Sequence, residues 1–350
     1  MKYLFFLPHR IGLSLFSLAL LMACNDDERA PLAVPTTYNS PNFVNNTQAE
    51  NTVLTELGNL VTAMNNAETG TTDPIAYPAN LKAITRTTYA TKIESWLLEL
   101  VKGAGQTFDL ENAPAGDGGM LGTRLLDENG LELEQMIEKG SFGAALYNHA
   151  LAVLSQPISE ADIDRLVRIL GTDASFDPNT AKFSALYAKR RSDNSAQTGF
   201  FYDLKQNLLT AKAALAAGPE YQPEFNASLT EFLINWEKSN FATVIFYCFT
   251  AKSGFQNSNN DPTALGNALH AYAEGVGFTA GWKGISTKLI SDAQIDQVLE
   301  LLLAEEGQTP ESYRFAKEPA LLDRLDQIVA LLQGIYGFSN EEIEAFKVNN

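Results

Sequence analysis

The sequence predicts an all-α protein built as a helical bundle, and three observations carry that prediction. Apolar side chains recur at helical spacing along most of the chain. Helix-capping signatures stand between those stretches. The sustained alternation of apolar and polar residues that a half-buried strand requires is almost absent.

The first element is a processing signal and stands apart from the bundle. Lys2, His9 and Arg10 precede the apolar run Ile11 to Met22, and the small residue Ala23 comes just before Cys24. These are the three parts of a secretory signal. The run is twelve residues long, short of the roughly 18–20 that a membrane-spanning helix needs. Leu21-Met22-Ala23-Cys24 resembles a bacterial lipoprotein signal, which implies removal of residues 1–23 and lipidation of Cys24 as the first mature residue. The next residue is Asn25, not the aspartate that resembles an inner-membrane retention signal, so the expected destination is the outer membrane. Asp26-Asp27-Glu28 is similar to the export tags of some surface lipoproteins and equally suits a solvated tether. Residues 24–46, polar and interrupted by Pro31, Pro35 and Pro41, are expected to form that extended tether.

An all-helical domain is expected over 47–350. Val53, Leu54, Leu57, Leu60, Val61 and Met64 share one helical face, and Ile93, Trp96, Leu97, Leu100 and Val101 share another. Six glycines between 103 and 122 predict a long loop, with helix resuming near Leu131. Ser159 with Asp162, Ser291 with Gln294 and Ser339 with Glu342 have the capping-box spacing. Asp177-Pro178, Asp261-Pro262 and Thr309-Pro310 place a capping oxygen before a proline, which predicts helix starts. Gly171, Gly218, Gly307 and Gly334 are expected helix stops. One long helix is expected from Pro223 to about Lys252, apolar nearly all round over Phe241 to Thr250, at the centre of the bundle.

Ser159-Glu160-Ala161-Asp162-Ile163-Asp164 echoes Ser291-Asp292-Ala293-Gln294-Ile295-Asp296. Duplication into two helical halves, 47–198 and 199–350, would explain the echo, as would shared capping chemistry, which the short extent of the similarity favours.

Charge and cysteine content exclude some functions. The 350-residue chain carries a net charge of −17, and loss of Lys2 and Arg10 with the signal makes it two units more negative. Such a polyanion is repelled by nucleic-acid phosphates and anionic headgroups, so no nucleic-acid partner is expected and membrane contact should run through the lipid. Of two cysteines, lipidation consumes Cys24 and leaves Cys248 without a partner, so no disulfide is expected. The apolar surroundings of Cys248 in the long helix read as a buried small hydrophobe. Trp282, near Gly281 and Gly284, reads as core or as the lining of a groove.

Glu134-Gln135-Met136-Ile137-Glu138-Lys139-Gly140 with Gly143-Ala144, then Trp236-Glu237-Lys238, then His270 through Phe278, occur in an order that resembles an uncharacterised family of bacterial lipoproteins. That family is distantly similar to imelysin-like proteins. The resemblance, from about Val34 onward, implies a helical bundle, possession of imelysin-like halves, an outer-membrane or periplasmic setting and a link to iron or other metal uptake. The imelysin-like signature is Gly-x-His-x-x-Glu. Here Gly266 lies four residues before His270 and Glu274 four after, so the three share one helical face with Gly277.

Those four residues are the candidate ligand-binding set. His270 and Glu274 can offer two ligands to a metal, and a stable transition-metal site usually needs three or four. His149, the other histidine left after signal removal, would be a third, with Glu134 or Glu138 as further donors. The plainer reading makes each histidine a hydrogen-bonded structural residue, with Glu274 orienting His270. No catalytic residue is assigned, because zinc-protease, phosphate-loop and nucleophile-elbow motifs are all missing. Asp127-Glu128-Asn129-Gly130 has the flavour of a calcium loop but lacks its alternating acids, and reads as a turn.

The leading expectation is therefore a lipid-anchored, outer-membrane binding or accessory protein for a small molecule, a divalent metal ion or iron, or a neighbouring receptor or transporter. The alternatives are an imelysin-like metallopeptidase using His270 and Glu274, and a scaffold lipoprotein with no small ligand.

Overall fold

Each apolar stripe becomes a helix that buries one face. The structure, a computed structural model, describes residues 29–350. Helix accounts for 63% of the described residues and strand for 3%, so the all-α class holds. The signal segment and Cys24 lie outside the described residues.

Helix α1 (Phe43–Asn46) leads into α2 (Gln48–Glu68), and α3 (Ala79–Ile84) into α4 (Thr87–Gly103). The glycine-rich stretch that follows is not wholly loop. It ends in an antiparallel hairpin, β1 (Gly119–Leu121) and β2 (Arg124–Leu126), in which Leu121 opposes Arg124. Helix α5 (Leu133–Ser141) passes through a π-helical segment, Phe142–Tyr147, into α6 (Asn148–Leu154). Then come α7 (Glu160–Leu170), α8 (Phe183–Arg190), a minimal hairpin of β3 (Ser192–Asp193) and β4 (Thr198–Gly199), and α9 (Phe200–Ala217). The second part of the chain holds α10 (Gln222–Asn257), α11 (Pro262–Ala280), α12 (Asp292–Leu301), α13 (Tyr313–Lys317), α14 (Asp323–Tyr336) and α15 (Asn340–Ala345).

The 36-residue α10 is the centre of the bundle, packed by α8, α9, α11 and α14. Helix α11 lies between α10 and α5. Where they meet, the Tyr147 ring is 4.4 Å from Trp282 and 5.4 Å from Trp236, and the Phe241 ring is 5.7 Å from Trp282. Burying side chains of this size contributes about 1.5–3 kcal/mol each. Trp282 is 0% exposed, so it is core and lines no groove. Glu237, buried on α10, accepts the amides of Leu289 and Ile290 at 2.6 and 2.8 Å and the Tyr336 hydroxyl at 2.8 Å. One carboxylate thus ties a loop and α14 to the central helix. Cys248 is buried in α10, and burial pushes its thiol up, as its apolar surroundings predict. Among the described residues no helix is long and apolar enough to cross a membrane.

All three capping boxes form, opening α7, α12 and α15, and Asp261 caps α11 through Ala264 N at 2.8 Å. The other two proline signals fail. Asp177 instead accepts Asn179 N at 2.9 Å in a turn, and α8 starts at Phe183; after Thr309-Pro310 the helix waits until Tyr313. An aspartate or threonine oxygen can close a local turn as well as cap a helix, and the residues that follow decide which. Gly334 lies inside α14, and Gly337, at φ +66°, ends it.

The expected tether also ends earlier than its composition suggests. The compact unit runs from Ala33 to Asn350. Within it Tyr38 and Phe43 are buried, and Tyr38, Ser40 and Asn46 donate to Asp164 of α7 at 2.6, 2.6 and 2.7 Å. Polar residues here serve a buried carboxylate. The halves 47–198 and 199–350 do not separate, since α5 packs on α11 and α7 on α9 across that boundary. The echoed segments share their capping boxes but differ in neighbours: α7 packs on α1, α2, α6 and α9, α12 on α11 and α14.

Candidate functional site

His270 sits on the face of α11 that meets α5. Its Nδ1 lies 2.7 Å from Glu132 Oε2, just ahead of α5, and its Nε2 lies 3.5 Å from Glu274 Oε2 one turn along. Glu274 Oε1 receives the Tyr187 hydroxyl at 3.3 Å and has Lys139 Nζ at 3.4 Å. Lys139 also pairs with Glu138, and the Gln135 amide donates to Glu134. Arg124 approaches Glu132 Oε1 at 3.8 Å and donates to Asn267 at 3.1 Å.

This seam is rich in buried acid. Burial, then repulsion by Glu138, pushes the Glu134 carboxyl well up, and burial followed by the charge of Glu132 raises Glu68. For Lys139, burial disfavours the ammonium, yet Glu138, Tyr187 and Glu274 outweigh it and push its value well up. Lys139 is held as the cation that lets these carboxylates sit together.

The geometry does not make a metal centre. Glu132 and Glu274 engage opposite nitrogens of one imidazole, so the two carboxylates do not gather with one nitrogen as the three or four ligands of a common ion would. His149 belongs elsewhere: its Nε2 is 3.2 Å from Glu50 Oε1, which Arg165 also holds at 2.8 Å. The expected His149, His270 and Glu274 set is therefore not brought together. Among the described residues no group of three or more His, Cys, Asp and Glu side chains is arranged to hold a metal ion.

Gly266 and Gly277 do share the His270 face, but that face is covered by protein. A Cβ on Gly266 would lie 2.3 Å from the Leu121 carbonyl oxygen of β1, and one on Gly277 would lie 2.5 Å from that of Gln135. Absence of a side chain lets the hairpin and α5 approach α11. The expectation that these glycines line a ligand site is corrected to close packing of elements.

A concavity lies beside α4, around Trp96. A cavity of about 460 Å³ there is lined by Trp96, Glu99, Asp117, Glu128 and Asn129, among others. A second, of about 210 Å³, shares Trp96, Leu131, Gln308 and Pro310 with it, so the two adjoin around that indole. Trp96 is half-buried, its ring edge-on to Tyr89 at 5.5 Å. Asp127 accepts the amides of Asn129 and Leu131 at 2.9 and 2.8 Å, so the segment is the turn its sequence suggests. Burial, opposed by those amides, pushes its carboxyl up to about 6. Asn129 is 6% exposed, and its Oδ1 has no hydrogen-bond partner.

Sequence reasoning placed Trp96 on an apolar stripe and missed the groove. Glu99, three residues on, puts a carboxylate on the same side of α4 as Trp96 and was the available signal. The opposite wall, from residues 304–310, is far away in sequence. Compared with protein-family models, curated proteins and solved structures, the chain matches none.

Proposed function

We propose that this chain is a lipid-anchored helical binding or accessory protein of the outer membrane that takes a small ligand in the groove around Trp96. The observation that carries the binding role is that groove: a concavity of suitable size with a half-buried indole and polar side chains along it. The anchoring role is supported by Leu21-Met22-Ala23-Cys24 and the polar residues after it.

The metallopeptidase reading finds no support in the position of His270, whose two nitrogens already face protein carboxylates on opposite sides. A scaffold role would leave the groove without a purpose. Metal uptake, implied by the imelysin resemblance, would have to proceed through bound partners or a complexed metal, since His149 and His270 stand apart.

Membrane partitioning tests the anchor. The Cys24→Ser protein should move from the detergent-rich phase to the aqueous phase, and unchanged membrane retention would refute lipidation at Cys24. Casein digestion with and without chelator tests the enzyme alternative; chelator-sensitive cleavage would restore it.

A further inference from the structure

We infer that His270 is a proton-operated latch that fastens the first turn of α5, and the hairpin ahead of it, to α11. Protonated, the imidazole holds both Glu132 and Glu274; neutral, it holds only one of them, and the seam loosens.

The first ground is a count of donors. Nδ1 lies 2.7 Å from Glu132 Oε2 and Nε2 lies 3.5 Å from Glu274 Oε2. An imidazolium carries two N–H donors, whereas a neutral imidazole carries one and presents a lone pair at its other nitrogen. With a carboxylate facing each nitrogen, only the charged ring donates to both. The side chain is 21% exposed, so its proton exchanges with solvent while the seam stays closed.

The second ground is what Glu132 has besides His270. It is 0% exposed, its Oε1 has no hydrogen-bond partner, and the Arg124 guanidinium stands 3.8 Å away. A carboxylate so deeply buried depends on its pairing. Glu132 occupies the N-cap position of α5, yet its side chain caps no amide there and is turned to His270 instead. Its carbonyl accepts the amides of Gln135 and Met136 at 3.1 and 3.4 Å, so the first turn of α5 moves with it. The hairpin just before Glu132 meets α11 where the Leu121 carbonyl closes on Gly266 and where Arg124 donates to Asn267.

Other ionisable groups face this seam from several elements. Glu68 comes from α2, Arg124 from β2, and Glu134, Glu138 and Lys139 from α5. Tyr187 of α8 and Tyr247 of α10 reach Glu274, the remaining acid, on the same helix as His270. Helices α12 and α13 meet the opposite face of α11, where Tyr272 donates to the Leu302 carbonyl and its ring lies 4.9 Å from that of Phe315. Burial pushes the carboxyls of Glu68 and Glu134 up, which makes them the rival sources of any response near neutral pH.

Hydrogen exchange read by mass spectrometry on the detergent-solubilised full chain tests the latch. Protection factors are corrected for the intrinsic effect of pH on exchange, so a change in them reports opening of structure. Between pH 5 and 8, the range in which histidine charge ordinarily changes, protection of amides in residues 119–136 should fall with rising pH while that of α14 stays level. The expected fall is about fivefold or more, the difference between a charge-assisted and a neutral hydrogen bond. His270→Gln supplies a donor that does not titrate, and should abolish the dependence on pH. Glu132→Gln keeps the histidine, removes its buried anion and should do the same.

A parent protein whose protection is level across that range, or falls equally in α14, overturns the latch. So does a response that survives either substitution, which would assign it to Glu68 or Glu134. If His270→Gln loses its helicity, Glu132→Gln decides alone.

Discussion

His270 shows how one residue pattern supports two chemistries until its neighbours are known. Gly266, His270, Glu274 and Gly277 share a helical face, as their spacing requires, but that face is pressed on α5 and the first hairpin. His270 and Glu274 are then members of a buried polar seam with Glu132, Lys139 and Tyr187. Replacing both by alanine strips Glu132 of its short contact and Tyr187 of its acceptor. The expected result is a loss of about 1–3 kcal/mol in unfolding free energy. Metal content measured on the same preparations should be negligible before and after. A variant with unchanged melting temperature, derived from a parent that held stoichiometric metal, would reverse this reading.

At the scale of elements, glycines decide how closely helices approach. Gly281 ends α11 against Gly140, whose carbonyl oxygen would lie 2.2 Å from an added Cβ. That atom is backbone and cannot swing aside. Gly281→Ala should therefore destabilise by about 1–3 kcal/mol, as overpacking does. Gly334, inside α14 with nothing within 4 Å of the Cβ position, should behave oppositely. Gly334→Ala should stabilise by about 0.4–1 kcal/mol through reduced freedom of the unfolded chain. Thermal unfolding of the two variants checks both signs, and a stable Gly281→Ala protein would mean that α5 and α11 can part.

The segment before α2 is held by a second device. Burial alone would raise the Asp164 carboxyl, but hydrogen bonds from Ser40, Tyr38, Asn46 and Lys212 outweigh it and bring the value below the usual 3.8. A depressed carboxylate stabilises the fold above its ordinary value, and that contribution is lost as pH falls through the folded value. Stability should thus drop on acidification from pH 7 to below 3.8 in part through this group. Asp164→Asn should lower stability at pH 7 by about 1–3 kcal/mol and flatten the acid limb. Parallel acid limbs for variant and parent, followed by denaturant unfolding, would assign the acid sensitivity elsewhere.

The molecule as a whole should unfold as a unit from Ala33 onward. Helix α5 buries its face on α11, and α7 packs on α9, so residues 47–198 expressed alone would expose both surfaces. The expected outcome is a fragment without a cooperative thermal transition, checked by circular dichroism during heating. A sharp transition in that fragment would revive two independent halves.

Local chemistry was legible in the chain by itself. Helical class, the central position of α10, the three capping boxes, the turn at Asp127 and the inert burial of Cys248 all follow from contacts within a few residues, or from apolar spacing that must find a core. The segment before α2 was misread because hydrogen bonding makes polar residues such as Ser40 and Asn46 buriable, and their acceptor, Asp164, is more than a hundred residues away. Tertiary structure also decided the site. Whether His270 faces a ligand or Glu132, and whether Trp96 is core or the floor of a groove, depends on which distant segment covers each helix face. Periodicity specifies that a face exists, and only packing between elements determines what lies against it.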